Sequence, residues 1–223
     1  MNFTYYTIIG RDSALLEGHL KNVTQYAGFE KLECETKLLV IVYTNPTISQ
    51  VTTDKILSIC KEYEAEPVIY QEPTSSFIDN LYACWNLGYN HALDGLVFRG
   101  GSDQIFSKDS FVSLYRDRLS CENEKVILQA NTVENADRNL GSRHIVASLG
   151  DTFESFNYEE FEALCDTINK DADEPLLSLE DSIRLWNKPT GFTSTLGQIN
   201  RTDGCSCLMT KKDWEEHGPL PVL

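Results

Sequence analysis

The stretch that decides the fold is residues 85–104, WNLGYNHALDGLVFRGGSDQ. Its apolar centre, residues 96–98 (LVF), lies between glycines at 95 and 100. A short, unbroken apolar run of this kind is typical of a central strand that is covered on both faces. In open α/β sheets, ligands bind at the carboxyl ends of the strands. We therefore expect the polar loop at 101–104 to lie at a binding edge.

Three further runs of β-branched and aromatic residues precede this stretch. They are residues 4–9 (TYYTII), 37–43 (KLLVIVY) and 67–70 (PVIY). Helical spacing of apolar residues predicts helices from Asp12 onward, at 49–63 and at 76–92. Strands that alternate with helices predict an α/β fold with a Rossmann-like, mostly parallel sheet flanked by helices. The carboxyl-terminal half is less regular.

The stretch at 85–104 resembles family-2-like glycosyltransferases of the GT-A fold. In that family a helix ending R-N-x-G-x-x-x-A leads into a strand and then into a D-x-D-D loop. Without a gap, WNLG at 85–88 matches R-N-x-G, Ala92 matches the alanine, and GSDQ at 101–104 matches D-x-D-D. The resemblance implies a nucleoside-diphosphate sugar as donor, with UDP favoured, and Mn²⁺ or Mg²⁺ as cofactor.

The chain departs from the family pattern within the metal loop. Gly101 replaces the first acid and Gln104 the last, which leaves Asp103 as the expected metal ligand. One carboxylate is enough for a Mg²⁺ ion that keeps several waters and takes oxygens from the substrate. The resemblance also assigns Asn86, Gly101 and Ser102 to substrate binding. The alternative is an ordinary turn that Asp103 caps, since Gly, Ser and Asp are common turn formers.

Two other turns carry the resemblance further. Family members touch the nucleotide with a short polar turn after the first strand, where this chain has Gly10, Arg11 and Asp12. After the second strand the family has D-D-G-S, which binds uracil and ribose, whereas this chain has Tyr-Thr-Asn-Pro. Asn45 in that turn is expected to hydrogen-bond a base edge.

The general base has two candidates. Family members place a Glu-Asp pair, whose aspartate is the base, at the start of a helix well beyond the metal loop, and Asp181 follows Glu180 at a comparable distance. Asp203 lies in a glycine-rich segment, residues 191–209, from which binding residues commonly project. Asp181 could instead cap the start of a helix, and Asp203 could be an ordinary turn residue. For each aspartate, the catalytic and the structural role both stay open. The resemblance implies an inverting transfer to a glycan hydroxyl.

The second half is expected to bind the acceptor. We interpret residues 125–130 and 144–149 as strands antiparallel to the main sheet, with a polar loop at 131–142 that borders the acceptor. Apolar periodicity predicts a helix within 153–174, and a capping box at its start predicts another at 211–217.

Composition bounds the class of protein. With 223 residues and 41% hydrophobic content, we expect a single domain, with a donor half at 1–105 and an acceptor half at 106–223.

A net charge of -15 disfavours nucleic acid as a partner. The longest apolar run, residues 38–43, is too short to cross a membrane, and the absence of a secretory signal predicts a cytoplasmic location. The apolar end, LPVL, suggests a fragment of a longer protein.

The seven cysteines are odd in number and lie mostly in apolar segments, which predicts buried free thiols. Cys205 and Cys207 could join His217 in a zinc site, but no C-x-x-C pair accompanies them, and core packing is the favoured interpretation.

Two other functions stay open. A sugar nucleotidyltransferase would share the sheet, but it needs a longer glycine-rich, basic loop than residues 10–12 provide. A non-catalytic glycan- or nucleotide-binding scaffold is favoured by the acids missing at 101 and 104. The lack of G-x-G-x-x-G after the first strand disfavours a nicotinamide or flavin enzyme.

Overall fold

The structure is a computed structural model that describes residues 1–10, 12–72, 77–121, 128–129, 133–135, 145–150, 152–171 and 207–217. The strands and helices, in chain order, are β1 (Asn2–Ile9), α1 (Ser13–Lys21), β2 (Thr36–Thr44), α2 (Gln50–Glu62), β3 (Glu66–Gln71), α3 (Phe77–His91), β4 (Gly95–Arg99), α4 (Ser110–Ser120), β5 (Leu128–Gln129), β6 (Val133–Asn135), β7 (Ile145–Ala147), α5 (Tyr158–Asp171), β8 (Cys207–Thr210) and α6 (Lys211–His217). The chain forms two compact units, Met1–Leu128 with Cys205–Leu223, and Gln129–Gly204. The predicted single domain, divided at residue 105, stays a prediction.

The main sheet has the strand order β3-β2-β1-β4-β8, with β5 beyond β8. β1 runs parallel to β2 and β4, and β2 runs parallel to β3. β8 is antiparallel to β4. The predicted α/β fold with a mostly parallel sheet flanked by helices is confirmed. The first four strands and first three helices agree with their predicted bounds to within about two residues, which is the usual accuracy at element ends.

Each face of the sheet has its own apolar core. Because successive side chains of a strand point to opposite faces, Tyr5 of β1 packs with α1, α2 and α4, whereas Tyr6 packs with α3. The first core contains a tight aromatic cluster in which ring centroids lie 4.9 to 5.9 Å apart: Tyr5, Phe98, Phe106 and Phe111. Phe106 and Phe111 thereby fix the chain that leaves β4 against the sheet.

Helix α4 was not foreseen. Its apolar stripe is interrupted by a charged residue, because Arg118 shares the buried face with Phe111. Asp109, which precedes the helix, has a left-handed backbone (φ 55°), and its carboxylate lies 2.6 Å from Lys31 Nζ. The burial of Arg118 and the contact between Asp109 and Lys31 involve residues far apart in the sequence. The spacing of apolar residues within the helix therefore does not reveal them.

The prediction that residues 144–149 form a strand antiparallel to the main sheet is wrong. β7 pairs with β6 in parallel, in a separate two-stranded sheet, and is not antiparallel to the main sheet. β6 also lies within the predicted loop at 131–142. Its three residues include a glutamate and an asparagine, so no apolar run predicts it, and it is defined by its parallel pairing with β7. Of the predicted strand at 125–130, the structure describes Leu128–Gln129.

The other predictions for the second half agree with the structure where it can be compared. Helices α5 and α6 lie where they were predicted, and Thr210 Oγ1 accepts the Asp213 N–H at 2.9 Å at the start of α6. The described cysteines are free thiols, as predicted, but only three are buried (Cys60, Cys84 and Cys207), and the other three are half-buried (Cys34, Cys121 and Cys165). Cys205 lies outside the described residues. Within the described ranges, no helix is long and apolar enough to span a membrane.

Candidate functional site

The carboxyl ends of three strands meet at one edge of the main sheet. Because β1 pairs in parallel with both neighbours, Ile9 lies beside Val42 of β2, and Tyr6 beside Arg99 of β4. Gly10 follows β1 so closely against β2 that a Cβ added to it would lie 3.3 Å from the ring of Tyr43. The segments that follow these strands contain residues 10 and 12, 45–48 and 100–104. We call them the carboxyl edge.

The loop after β4 is closed by its own hydrogen bonds. The Gln104 N–H donates to the Gly101 carbonyl at 3.2 Å, and the Gly101 N–H donates to Gln104 Oε1 at 2.8 Å. The Gly100 N–H donates to the Tyr6 carbonyl at 3.0 Å, which continues the strand ladder into the loop. The loop therefore holds Asp103 exposed at the turn.

The Asp103 carboxylate lies over the backbone of Gly101. A Cβ added to Gly101 would be 2.6 Å from Asp103 Oδ1, which is closer than real Cβ contacts allow. The carboxylate therefore folds back over Gly101. A side chain at 101 would make the exposed Asp103 carboxylate move aside.

His19 of α1 supports this loop from within the core. Its Nδ1 lies 2.8 Å from the Gln104 backbone oxygen, and its Nε2 lies 2.7 Å from the Tyr5 hydroxyl. A carbonyl oxygen only accepts, so Nδ1 carries the proton and Nε2 accepts the hydrogen of Tyr5. Burial lowers the pKa of His19 to about 4, although the Gln104 carbonyl and the nearby Asp103 carboxylate act in the opposite direction. At pH 7 the ring is neutral and both nitrogens are hydrogen-bonded.

Tyr5 completes this support. Burial raises the pKa of its hydroxyl well above the ordinary value, so it stays protonated and donates to His19. Gly100 packs directly on that hydroxyl, and a Cβ at this position would overlap it. Side chains from β1 and α1 thus hold the backbone at both ends of the 100–104 loop.

The turn after β2 is shaped by Asn45. Its Oδ1 accepts the Thr47 N–H at 2.9 Å and the Thr47 hydroxyl at 2.7 Å. Partial desolvation raises the pKa of Tyr43, as does the Glu72 carboxylate, while the Asn45 amide lowers it. Asn45 therefore uses its oxygen within the turn, and its amide also interacts with the Tyr43 hydroxyl.

No protein-family model and no curated protein sequence matches the chain. One solved structure similar to it is the mannosyltransferase PcManGT from Pyrobaculum calidifontis in complex with GDP-Man and Mn²⁺. The two are 12% identical, with a TM-score of 0.44. The match covers 60% of this chain and 36% of that chain, so this chain spans little more than a third of the length of that protein.

The structure brings most of the predicted binding residues to the carboxyl edge, namely Gly10, Asp12, Asn45, Gly101, Ser102 and Asp103. Asp12 has a structural task there, because its Oδ1 accepts the Leu15 N–H at 3.0 Å and caps α1. Asn86 lies within α3, half-buried, and in none of the loops that follow the strands. Arg11, Asp181 and Asp203 lie outside the described residues.

Two residues of this region were missed as functional candidates. His19 stands in the apolar stripe of α1, and a histidine at a core position of a helix beside a binding loop is a signal that could have marked it. Arg99 is the last residue of an otherwise apolar strand, yet it is 6% exposed, and its guanidinium carbon lies 4.1 Å from the centre of the Trp85 ring. A charged residue at the end of an otherwise apolar strand is unusual, and this could have marked Arg99 as a functional candidate.

Proposed function

We propose that the chain is a metal-assisted glycosyltransferase of GT-A type that moves a sugar from a nucleoside-diphosphate sugar to a hydroxyl of a glycan acceptor, with inversion. The observation that carries the proposal is the exposed Asp103 on the loop that ends β4, beside the ends of β1 and β2. Ligands of open α/β sheets bind at that edge. The gap-free resemblance of residues 85–104 supplies the class of ligand and favours a UDP-sugar.

The residues at the carboxyl edge suit a cation that arrives with its substrate. Mg²⁺ prefers oxygen ligands, keeps several waters and is commonly bound by one or two carboxylates together with substrate phosphates. Asp103 offers one such carboxylate. Within the described ranges, no group of three or more His, Cys, Asp or Glu side chains is placed to hold a metal by itself. A bound Mn²⁺ or Mg²⁺ would neutralise charge on the departing diphosphate.

Asp103→Ala is expected to weaken metal-dependent binding of a nucleoside diphosphate by at least about tenfold, or about 1.4 kcal/mol. The change removes the carboxylate that touches the cation and leaves the 101–104 backbone hydrogen bonds intact. Calorimetry with UDP and GDP, with and without Mn²⁺, measures the effect.

Asp94→Ala is the matched control for that measurement. Asp94 precedes β4 at the opposite edge of the sheet, and its side chain is 98% exposed. Equal affinities in the two variants would remove Asp103 from the site.

The turn at 10–12 and Asn45 are expected to line the nucleotide pocket, because both follow strands whose carboxyl ends are adjacent. A crystal structure with a bound nucleoside diphosphate and Mn²⁺ is the measurement. We expect the base or ribose within hydrogen-bonding or stacking distance of one of these segments. A base that lies beyond reach of both would show that the pocket is elsewhere.

The chemical step needs a base, and we propose one of Asp181 and Asp203. The resemblance supports Asp181 through the Glu-Asp pair, and a glycine-rich surrounding sequence supports Asp203. The base must come within hydrogen-bond reach of the acceptor hydroxyl as that hydroxyl attacks the anomeric carbon.

A non-catalytic nucleotide- or glycan-binding module is the second candidate. It is favoured by Gln104, which stands where the family has an acid and uses its side chain to bind the Gly101 N–H.

The two functions differ in turnover. UDP-, GDP-, dTDP- and CMP-sugars are incubated with Mn²⁺ and a mixture of glycan acceptors, and released nucleoside diphosphate is measured. Metal-dependent release supports the enzyme, and saturable binding without release supports the module.

A further inference from the structure

Arg99 occupies a site of its own on the α3 face of the sheet. Its neighbours on that face are Trp85, Tyr6, Tyr89 and Cys207. Tyr5 and His19 lie on the other face, so this cluster is separate from the support of the metal loop. Arg99 directly precedes Gly100, which places the cluster next to the carboxyl edge.

The positive charge of Arg99 has no carboxylate partner among the described residues, and its Nε–H makes no hydrogen bond there. The chain has 34 acidic residues against 19 basic ones, so a shortage of carboxylates does not explain this. A guanidinium cannot lose its proton to escape burial, and buried charges in proteins are ordinarily paired. The Trp85 ring stabilises the cation in part, but it satisfies none of its N–H groups as an acceptor oxygen would.

Two more hydrogen-bond donors in this cluster are unused. The Tyr89 hydroxyl and the Trp214 indole N–H are buried, and neither has a hydrogen-bond partner in the described part of the chain. The two rings stack with centroids 4.9 Å apart and an interplanar angle of 8°, and Tyr89 lies within electrostatic reach of Arg99. Trp85 and Trp214 are half-buried, so part of each side chain is exposed to solvent.

We propose that Arg99, Tyr89 and Trp214 form an oxyanion-binding site. The site offers three hydrogen-bond donors, one of which carries a fixed positive charge. These donors complement an anionic group whose oxygens only accept hydrogen bonds. The planar guanidinium matches the paired oxygens of a phosphoryl or carboxylate group. The phosphoryl group of a nucleotide and the carboxylate of an acidic sugar share this chemistry. The proposal does not depend on sugar transfer, because it uses none of the residues that support the metal loop.

The test titrates the native protein with inorganic phosphate and, separately, with glucuronate, at constant ionic strength. Tryptophan fluorescence reports binding, because Trp85 and Trp214 border the site. We expect saturable binding of one probe, and which probe binds assigns the phosphoryl or the carboxylate source. Arg99→Lys keeps the charge but loses the paired N–H groups, so affinity should fall by at least about tenfold.

Arg118→Lys is the matched control, because Arg118 is also a buried arginine but belongs to α4 on the other face. It should bind the probe like the native protein. If neither probe binds the native protein saturably, or if Arg99→Lys binds as tightly, the proposal fails.

An NMR titration of the native protein covers the case in which Arg99→Lys does not fold. The probe should shift the Nε–H signal of Arg99 and leave that of Arg118 in place. An unshifted Arg99 signal overturns the proposal. Asp103→Ala separates this site from the proposed function, because it should lose metal-dependent nucleotide binding and keep the fluorescence response to the probe.

Discussion

Lowering the pH from 6.5 to about 4 is expected to remove about 3 kcal/mol of folding stability through His19 alone. Burial lowers the pKa of His19 to about 4 in the folded protein, against 6.5 for an unperturbed histidine. Between these values the unfolded chain binds a proton that the native chain does not, so acid favours unfolding. The contribution is fully present above pH 6.5 and fully lost below about 4.

Urea unfolding at several pH values across this window measures the effect. His19→Gln removes the titrating group, so its stability should depend less steeply on pH than that of the native protein. His91→Gln is the control, since His91 has a 43% exposed side chain. If native protein and His19→Gln lose stability in parallel as the pH falls, His19 is not held neutral by the fold.

Acid should also loosen the loop at 100–104. Protonation of Nε2 removes the acceptor that the Tyr5 hydroxyl uses, and it leaves a charge buried beside the Gln104 carbonyl. Because His19 holds the Gln104 backbone, nucleotide binding is expected to weaken in the same pH window in which stability falls.

If the proposed sugar transfer uses Asp181 or Asp203 as its base, asparagine at that position is expected to slow transfer roughly 10²- to 10⁴-fold. That range corresponds to about 3 to 5 kcal/mol of activation free energy. The amide keeps the shape of the side chain but cannot take the acceptor proton, so donor binding should stay nearly unchanged. Turnover with Mn²⁺ and calorimetry of donor binding separate the two effects.

Asp181→Asn and Asp203→Asn are each other's matched control, because only one of them should lose turnover. Near-normal transfer in both would mean that another residue is the base. No turnover in the native protein, together with intact nucleotide binding, would favour the non-catalytic module.

Local sequence patterns predicted most of the main sheet. The buried run at 96–98 between glycines appears as β4, and the alternation of strands and helices before it appears as β1 to α3. Residues in these elements repeat with the period of their own secondary structure, so a short window contains the signal. Strand β6 and helix α4 lacked such a signal, because polar or charged residues interrupt their apolar positions.

The candidate site was predictable only in outline. The position of Asp103 after β4 follows from the order of strands, since parallel strands end at the same edge. The task of Asp12 as a helix cap, and the use of the Asn45 oxygen within its own turn, depend on backbone geometry that the residue types permit but do not dictate. Asn86 lies inside α3, as the predicted helix at 76–92 requires, and its assignment to substrate binding, which rests on the resemblance alone, stays a prediction.

By itself, then, the sequence determined the strands and helices from β1 to β4, their order, and the edge at which the polar loops gather. Only the tertiary structure decided that His19 is neutral and holds Gln104, 85 residues away, and that Arg99 is buried without a carboxylate partner among the described residues. The reason is physical. Helix and strand periods arise from neighbours a few residues apart, whereas the burial and hydrogen bonding that set the charge state of a side chain come from groups that meet only when the sheet and helices pack.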